Sequence, residues 1–234
     1  LATLFLPIIK IVSERNSLKN YNYIKLSKFN LGYLSLFFAD KVTVQLSSYK
    51  KDYAKFIQRK IKVIPNLLND NYSYSEPLLN DSIISMMGRL CPQKNFNPLL
   101  EQCLRNIDDI PSIKIRIAGE GEYRELFEKK YRKLISHGIL ELTGNVKDTD
   151  VFLNSSTIFC FPSLWEGYPN ALVEALSAGL PIVLSSRLEN LNDFVENNVN
   201  GRVVDDSDYL KTIIEMLKNR EKLKIMSIKS FSKF

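Results

Sequence analysis

The sequence predicts an α/β protein in which a parallel sheet is covered by helices on both faces. The 234 residues are 45% hydrophobic and 25% charged, which supplies enough apolar material for a buried core. From about residue 80 onward, short apolar runs alternate with stretches of helical period. The runs are apolar on both faces, as are strands of a parallel sheet between two helical layers. Together these observations indicate a repeated order of strand and helix.

The first part of the chain has the pattern of the end of a separate α/β unit. Its expected elements are a strand near 8–12, helical material to about 38, a strand at 41–45, a helix from Ser47 or Ser48 and a strand at 61–64. The following stretch, residues 65–80, is rich in Asn, Pro, Ser and Tyr and lacks periodicity. We therefore expect an interdomain connection there.

The rest of the chain repeats strand and helix. Strands are expected at 83–87, 113–118, 139–142, 157–161, 181–184 and 202–204. Helical patterns lie at 96–106, 121–136, 148–154, 170–178, 190–197 and 208–219. Ligands of such sheets bind beyond the carboxyl ends of the strands. Functional residues are therefore sought in the loops at 88–95, 119–122, 143–147, 162–169 and 185–189.

Composition excludes several other classes of protein. With 9 Gly and 9 Pro, the chain is neither collagen-like nor of low complexity. Three cysteines without a CxxC pair do not make a disulfide scaffold, so Cys91, Cys103 and Cys160 are expected to be reduced, in the cytoplasm. No apolar stretch reaches the roughly 18 to 20 residues of a membrane span. Because the first residue is Leu1 rather than Met, we expect the sequence to begin inside a longer chain.

The net charge of +6 is distributed unevenly along the chain. Residues 1–62, the basic N-terminal part, contain 12 Lys and Arg against 3 Asp and Glu, a balance of +9. The remaining residues contain 20 against 23, a balance of −3. Aromatic residues are interleaved with the cations of the basic N-terminal part, so its chemistry suits anionic lipid or nucleic acid. The alternative is a lysine-rich surface without a partner.

The segment Phe161–Pro181 carries two carboxylates in an unusual setting. The predicted helix at 170–178 is apolar except at Asn170, Glu174 and Ser177, so it should be buried all round. A carboxylate there needs a partner, and no Lys or Arg lies on the same helix. Glu174 is therefore expected to face a cleft and accept hydrogen bonds from ligand hydroxyls, with Glu166 of the preceding loop in the same cleft. The alternative pairs both acids with distant cations.

The same loop ends at the start of the predicted helix. The amides of residues 167–170 lie at this helix N-terminus, which favours a phosphate. A second cluster follows the strand at 83–87, where Gly88 permits close approach of a ligand to the backbone. Arg89 and Lys94 place two cations on that loop, and two cations at a sheet's carboxyl edge can hold a diphosphate.

Weaker motifs are interpreted structurally. Gly119-Glu120-Gly121 lacks the third glycine of a dinucleotide-binding loop, because position 124 is Arg. Asp148-Thr-Asp150 and Asp206-Ser-Asp208 have the spacing of a metal–diphosphate site, but each lies at a helix start, where capping is favoured over metal ligation. His137, the one histidine, is expected to end a helix before Gly138. Without a second His, the sequence predicts no metal site.

Glu166 and Glu174, with seven residues between them, resemble the E-x7-E signature of the retaining family 4 glycosyltransferases of GT-B fold. The resemblance extends over roughly residues 61–205. It includes Ile61–Asn66 at the entry to the second domain, Gly88–Lys94 at the diphosphate loop, Ile117–Gly121 and Leu142–Val146 at the next two loops, and Asn200–Val204 at the closing strand. The sequence is most similar to members that extend O-antigen, capsule or lipid-linked oligosaccharides, in which a stretch like Ser13–Asn16 also occurs.

The resemblance implies a domain organisation and a role for each site residue. Residues 1–62 would end an incomplete acceptor domain, 63–80 would connect it to a donor-binding domain at 81–205, and 206–234 would form a C-terminal helical tail. Arg89 and Lys94 would bind the donor diphosphate, Glu174 the ribose hydroxyls and Glu166 the transferred sugar; Arg89, Lys94 and Glu166 would be catalytic. The other donor-binding residues would be Gly88, Val146 near the base, Gly167, Tyr168, Pro169 and Asn170. Glu189-Asn190-Leu191 departs from the family's Gly-Gly or Gly-Pro, so that loop receives no role.

The resulting hypothesis is a retaining glycosyltransferase that moves a sugar from a nucleotide-diphosphate donor, expected to be a UDP-sugar, to a glycan acceptor carried on a polyprenyl diphosphate. Two fixed cations can replace a metal, so no cofactor is expected. We expect a cytoplasmic enzyme that contacts the inner face of the plasma membrane through its basic N-terminal part and binds no nucleic acid. The alternatives are a fragment that binds the nucleotide sugar without turnover, and a GT-B-like sugar-nucleotide epimerase.

Overall fold

The computed structural model describes residues 6–15, 31–67, 74 and 82–233. The chain divides into two compact units. The first consists of Leu1–Leu68 together with Glu166–Pro169, and the second of Asn69–Trp165 and Asn170–Phe234. The grouping of residues 166–169 with the first unit was not anticipated from the sequence. Across the described ranges, none of the helices combines the length and apolar character needed to cross a lipid bilayer.

The first unit contains a three-stranded parallel sheet. Its strands are β1 (Ile11–Glu14), β2 (Lys41–Val44) and β3 (Ile61–Val63), in the order β1-β2-β3. Its helices are α1 (Leu31–Phe38) and α2 (Lys55–Gln58), with a 3-10 helix at Ser47–Asp52 between β2 and α2. Leu36, Val42, Tyr49 and Ile57 form part of its core, because each is at most 1% exposed.

Two expectations for this unit need correction. The first strand begins at Ile11, paired with Lys41, rather than near residue 8, because Ile9 lies outside the ladder with 78% of its surface exposed. The helix expected from Ser47 is a 3-10 helix followed by the separate short helix α2. The helical material expected before residue 31 lies outside the described residues.

The second unit contains a six-stranded parallel sheet, as the sequence predicts. Its strands are β4 (Ile83–Met87), β5 (Lys114–Ala118), β6 (Leu140–Gly144), β7 (Ile158–Phe161), β8 (Ile182–Ser185) and β9 (Gly201–Val204). Its helices are α3 (Asn97–Arg105), α4 (Arg124–Lys130), α5 (Arg132–Ser136), α6 (Thr149–Asn154), α7 (Asn170–Ser177), α8 (Tyr209–Lys218) and α9 (Arg220–Phe231). Short 3-10 helices occupy Pro92–Lys94 and Glu189–Leu191. Both helices that follow β9 belong to this unit, and Tyr209, Ile213 and Met226 are buried in its core.

One expected helix, at 121–136, is divided in two. Tyr131 separates α4 from α5 with φ −107° and ψ 21°, outside the helical region. Its ring is fully buried, and its hydroxyl donates to Oδ1 of Asn97 at 2.6 Å. The division therefore coincides with the point at which this tyrosine is anchored to α3.

The prediction of a helix at 190–197 is wrong. The segment contains the 3-10 helix Glu189–Leu191 and then turns. Asn200 explains this, because its side chain accepts from the backbone N–H of Glu196 at 2.7 Å and donates to the carbonyl of Phe194 at 2.8 Å. Such side-chain bonds satisfy the backbone without a helix.

The order of the strands locates the place where a ligand can bind. The sheet order is β6-β5-β4-β7-β8-β9, so the chain moves outward from β4 to β6 and then returns to β7 before moving the other way. The connections that follow β4 and β7 therefore lead in opposite directions along the sheet. In parallel sheets, this reversal opens a crevice at the carboxyl ends of the two central strands.

Candidate functional site

The loop after β4 folds back so that the side chain of Lys94 lies on Gly88. A β-carbon at position 88 would be 2.7 Å from Cε of Lys94 and 2.9 Å from its Cδ. Gly88 also has φ 147°, a conformation that L side chains rarely adopt. The Nζ atom of Lys94 lies 5.6 Å from the centroid of the Phe161 ring at the end of β7. The structure thus brings Gly88 and Lys94 together at the crevice between β4 and β7.

Arg89 lies between two backbone hydrogen bonds that fix its main chain. The N–H of Gly88 donates to the carbonyl of Ala118, and that of Leu90 to the carbonyl of Glu120, both at 2.9 Å. The Arg89 side chain is exposed, and it forms neither a hydrogen bond nor an ion pair with any other residue in the described part of the chain. Its guanidinium can therefore bind an anion without breaking an internal contact.

Helix α7 presents Glu174 in a largely apolar environment. Its neighbours Leu172, Val173, Ala175 and Leu176 are buried, and Glu174 is half-buried. Burial raises the pKa of the Glu174 carboxyl above its ordinary value, since no nearby charge compensates for lost solvation. No residue among those described by the structure pairs with this carboxylate. Hydroxyl donors on a ligand would supply the missing hydrogen bonds.

Residues 166–169, which group with the first unit, are bonded there to Tyr49. The Tyr49 hydroxyl donates to the carbonyl of Glu166 at 2.9 Å and also lies within hydrogen-bond distance of the carbonyl of Gly167. Glu166 is buried, and burial raises the pKa of the Tyr168 hydroxyl. The predicted run of amides is interrupted, because Pro169 has no N–H. Only Gly167, Tyr168 and Asn170 can donate from this segment.

Val146 follows β6, on the same side of the candidate crevice as the loop after β4. Strand order places this loop two strands from β4 at the same carboxyl edge. The Val146 side chain is half-buried. The loop is tied to its neighbour by a bond from the N–H of Gly119 to the carbonyl of Gly144 at 2.7 Å.

Two residues that sequence reasoning missed connect the loops after β4 and β7. Gln93 accepts at its carbonyl from the N–H of Leu164 at 2.9 Å, and its Nε2 donates to the carbonyl of Trp165 at 2.8 Å. Asn95 donates from Nδ2 to the carbonyl of Pro162 at 3.2 Å and has φ 50°. The one local signal was an Asn after a Pro-Gln-Lys turn, since Asn tolerates this left-handed conformation.

The glycines that follow β5 act as spacers. A β-carbon at Gly119 would be 2.2 Å from the carbonyl oxygen of Gly88, and one at Gly121 would be 2.4 Å from that of Leu90. Only glycine permits this approach of the two loops. The motif therefore positions the backbone around Arg89.

The two DxD motifs differ from each other. Oδ1 of Asp148 accepts from the N–H of Val151 at 3.0 Å, which confirms capping at the start of α6. The prediction of capping is wrong for Asp208, whose side chain makes no cap bond at the start of α8. Instead Asp206 pairs with Arg187 at 3.0 Å. Across the described ranges, no group of three His, Cys, Asp or Glu side chains is arranged to hold a metal.

His137 ends α5, as predicted. Its Nδ1 lies 2.8 Å from the carbonyl oxygen of Lys133 in the last turn of the helix. A polar ring here satisfies one of the carbonyls that a helix C-terminus leaves without an internal donor.

Comparison with protein families and with other proteins identifies similar sequences. A family model described as glycosyl transferases group 1 matches residues 72–232. An Escherichia coli UDP-Gal:alpha-D-GlcNAc-diphosphoundecaprenol alpha-1,3-galactosyltransferase is 32% identical over 164 residues, which cover 64% of this chain and 42% of that enzyme. An uncharacterized glycosyltransferase of Methanocaldococcus jannaschii is 33% identical over 160 residues, covering 62% of this chain and 39% of the relative. The chain spans less than half the length of both relatives.

Solved structures share the fold at lower identity. TarM of S. aureus, solved with fondaparinux, alpha-GlcNAc-glycerol and UDP, has a TM-score of 0.76 and 18% identity, over 88% of this chain and 45% of that one. The pneumococcal O-GlcNAc transferase GtfA, solved with UDP and GlcNAc, has a TM-score of 0.76 and 17% identity, over 95% and 48%. These similarities confirm the predicted fold class, α/β of GT-B type.

Proposed function

Because the chain belongs to the group 1 glycosyl transferases, we propose that it is the donor-binding part of a retaining enzyme that transfers a sugar from a UDP-sugar to a glycan acceptor. The observation that carries this proposal is the placement of Lys94 over Gly88 at the reversal of strand order. A cation held there, beside a backbone that lacks a side chain, suits a diphosphate. The similar TarM and GtfA structures were both solved with UDP.

Each of the other site residues receives a distinct role. Arg89, with no internal partner among the described residues, binds the diphosphate together with Lys94. Glu174, whose pKa is raised by burial, accepts hydrogen bonds from the ribose hydroxyls. Glu166 and the amides of Gly167, Tyr168 and Asn170 hold the sugar and phosphate, and Val146 contacts the base.

The proposed reaction needs only charge stabilisation and one proton transfer. The bond between the sugar's anomeric carbon and the diphosphate oxygen breaks, and a bond from the acceptor oxygen to the same carbon forms on the same face. The leaving phosphate oxygen takes the acceptor's hydroxyl proton. Arg89 and Lys94 stabilise the charge that develops on the diphosphate, a type of contact worth about 3 to 4 kcal/mol for one strong donor. Because these two cations neutralise the leaving group, the proposed reaction requires no metal.

The proposed acceptor is a glycan on a polyprenyl diphosphate at the inner face of the plasma membrane. The name of the similar E. coli enzyme describes transfer to a sugar on diphosphoundecaprenol. In the first unit, Phe37, Phe38 and Phe56 are 42 to 46% exposed, and Phe56 follows the exposed Lys55. Exposed aromatic rings beside cations are suited to an anionic membrane surface.

Calorimetry with UDP and UDP-sugars, combined with a transfer assay, tests the proposal. We expect UDP to bind the chain as it stands and Lys94→Ala to weaken that binding. In a protein with the whole length of the relatives, Lys94→Ala should also lower kcat, and a rate near that of the unsubstituted enzyme would reject the role of Lys94. Binding of UDP without transfer by the 234-residue chain would favour the alternative of a nucleotide-sugar-binding fragment, which the short coverage of its relatives supports.

A further inference from the structure

We propose that Gln93 is a positioning residue that locks the loop after β7, which carries Glu166, to the loop after β4, which carries Lys94. This inference rests on the proposed function, because it assigns both loops to one reaction. Gln93 precedes Lys94 in the sequence, and its Nε2 donates to the carbonyl of Trp165, the residue that precedes Glu166. One side chain thus links the main chains directly beside two proposed catalytic residues.

The end of the strand pairing shows why such a link is needed. The pairing of β4 with β7 comprises Ile84 with Ile158 and Ser85 with Phe159. It stops two residues before β4 ends at Met87 and two before β7 ends at Phe161. Beyond that point no ladder pairing joins the two strands, so the pairing does not by itself fix one loop relative to the other.

Three hydrogen bonds rejoin the loops after this gap. They run from the N–H of Leu164 to the Gln93 carbonyl at 2.9 Å, from Gln93 Nε2 to the Trp165 carbonyl at 2.8 Å, and from Asn95 Nδ2 to the Pro162 carbonyl at 3.2 Å. Gln93 takes part in two of them, one through its main chain and one through its side chain. Of these two bonds of Gln93, only the side-chain bond can be removed by substitution without changing the backbone.

The chemical consequence concerns the main chain beside the proposed phosphate and sugar contacts. In the proposed reaction Lys94 stabilises the leaving diphosphate, and the main chain of Trp165, to which Gln93 bonds, leads directly into Glu166, which contacts the transferred sugar. A misplacement of about 1 Å at a reacting centre can cost up to about 100-fold in rate. In the proposed site UDP contacts Lys94 but lacks the transferred sugar that Glu166 would contact. Loss of the lock should therefore reduce kcat more than UDP affinity.

Two substitutions separate the hydrogen bond from charge and size. Gln93→Glu keeps the length of the side chain but replaces the amide donor with a carboxylate, and Gln93→Met removes the donor without adding charge. Both retain the main-chain bond to Leu164. The matched control is Asn106→Asp, which removes a similar bond from an amide to a carbonyl, here that of Gln102 at 2.8 Å, on the exposed end of α3.

Trp165 provides a readout that does not depend on turnover. It is the only tryptophan in the chain and is 41% exposed, so the intrinsic tryptophan fluorescence comes from the residue to which Gln93 bonds. Acrylamide quenching and anisotropy of Trp165 would be measured for each variant, with UDP affinity by calorimetry and with kcat and KM in a protein of full length. Thermal unfolding would show that each variant folds.

The expected result is a rise in Trp165 quenching and a fall in kcat of up to about 100-fold in both Gln93 variants, with UDP affinity and Asn106→Asp unchanged. Unchanged quenching and kcat in folded Gln93→Met would overturn the proposal. A parallel loss of UDP affinity, kcat and thermal stability would also overturn it, because that pattern marks a merely structural role. If the unsubstituted protein bound no UDP and transferred no sugar, the proposed function would fail, while Trp165 quenching would still decide whether Gln93 fixes the loop.

Discussion

The side chain of Lys94 occupies the space that a β-carbon on Gly88 would fill. Cε and Cδ of Lys94 would both lie within 3.0 Å of such an atom. A small change at position 88 must therefore move the ammonium group that we assign to the diphosphate. This coupling separates two effects of a glycine substitution, backbone strain and displacement of a neighbouring cation.

Gly88→Ala should weaken UDP binding and destabilise the second unit. The φ of 147° is strained for alanine, at a cost on the order of 1 to 3 kcal/mol, and the new methyl group displaces Lys94. The matched control is Gly138→Ala, which also has a positive φ, 71°, but meets nothing within 4 Å. Calorimetry and thermal unfolding should show destabilisation in both variants and weaker UDP binding only in Gly88→Ala. Equal UDP affinities would refute the coupling.

Glu174→Gln should stabilise the free protein at neutral pH while weakening UDP binding. The raised pKa of Glu174 means that, between the ordinary glutamate pKa and the raised value, the folded state binds more protons than the unfolded state. Stability therefore falls as pH rises through that window and remains lower above it. The neutral amide of the variant carries no such penalty, so its excess stability should grow with pH and then level off.

The measurement for Glu174→Gln is the melting temperature as a function of pH, paired with UDP calorimetry near neutral pH. Glu128→Gln is a suitable control, because Glu128 is exposed and pairs with Arg124 on α4. That variant should lack the stabilisation at neutral pH. A lower melting temperature for Glu174→Gln at neutral pH would contradict the absence of a protein partner for Glu174 among the described residues.

Tyr49→Phe should lower kcat in a protein of full length. It removes the hydroxyl that donates to the Glu166 carbonyl, so the backbone beside a proposed catalytic residue loses a buried hydrogen bond. Tyr131→Phe is the control, because it removes a buried tyrosine bond to Asn97 in the core of the second unit. Each should cost about 1 kcal/mol of folding free energy, measured by denaturant unfolding. Only Tyr49→Phe should reduce kcat, and equal rates in the two variants would reject this role.

Only Cys91 should react with a thiol reagent in the native protein. Cys103 and Cys160 are buried, and burial raises the pKa of Cys103 to about 12 and that of Cys160 further, so neither forms a thiolate at neutral pH. Cys91 is only partly buried. Mass spectrometry after iodoacetamide treatment should show one labelled cysteine in buffer and all three in denaturant. Native labelling that persists in Cys91→Ser would show that the core opens more than its packing indicates.

The strands of the second unit could be predicted because their signal is local. Strands β7 and β8 are buried at every position, and a run such as Ile182–Ser185, flanked by Leu180 and Pro181, reveals this directly. The prediction of a helix failed at 190–197 because Asn200 forms side-chain bonds to the backbone of Glu196 and Phe194, which compete with a helix. The spacing of apolar residues, on which the prediction rested, carries no information about such bonds.

The candidate site was only partly visible for a related reason. Glu174 stands out in the sequence as a carboxylate on an apolar helix without a local cation. Gln93 does not, since its partners, Leu164 and Trp165, lie far along the chain and are reached through main-chain atoms that every residue type possesses. Because any residue type offers a backbone carbonyl, the sequence does not show which residue accepts such a bond.

The three loops on one side of the crevice form a tiered arrangement with practical consequences for engineering. The N–H of Gly88 donates to the carbonyl of Ala118, and that of Gly119 donates to the carbonyl of Gly144. Between the first two loops, the N–H of Leu90 also donates to the carbonyl of Glu120, and that of Tyr123 donates to the carbonyl of Leu90. A designer who wishes to alter the proposed nucleotide site by loop grafting must therefore transplant residues 88–91, 119–123 and 144–146 as one block. If only one loop were exchanged, its backbone N–H groups would face carbonyls of a loop with which they did not evolve to pair.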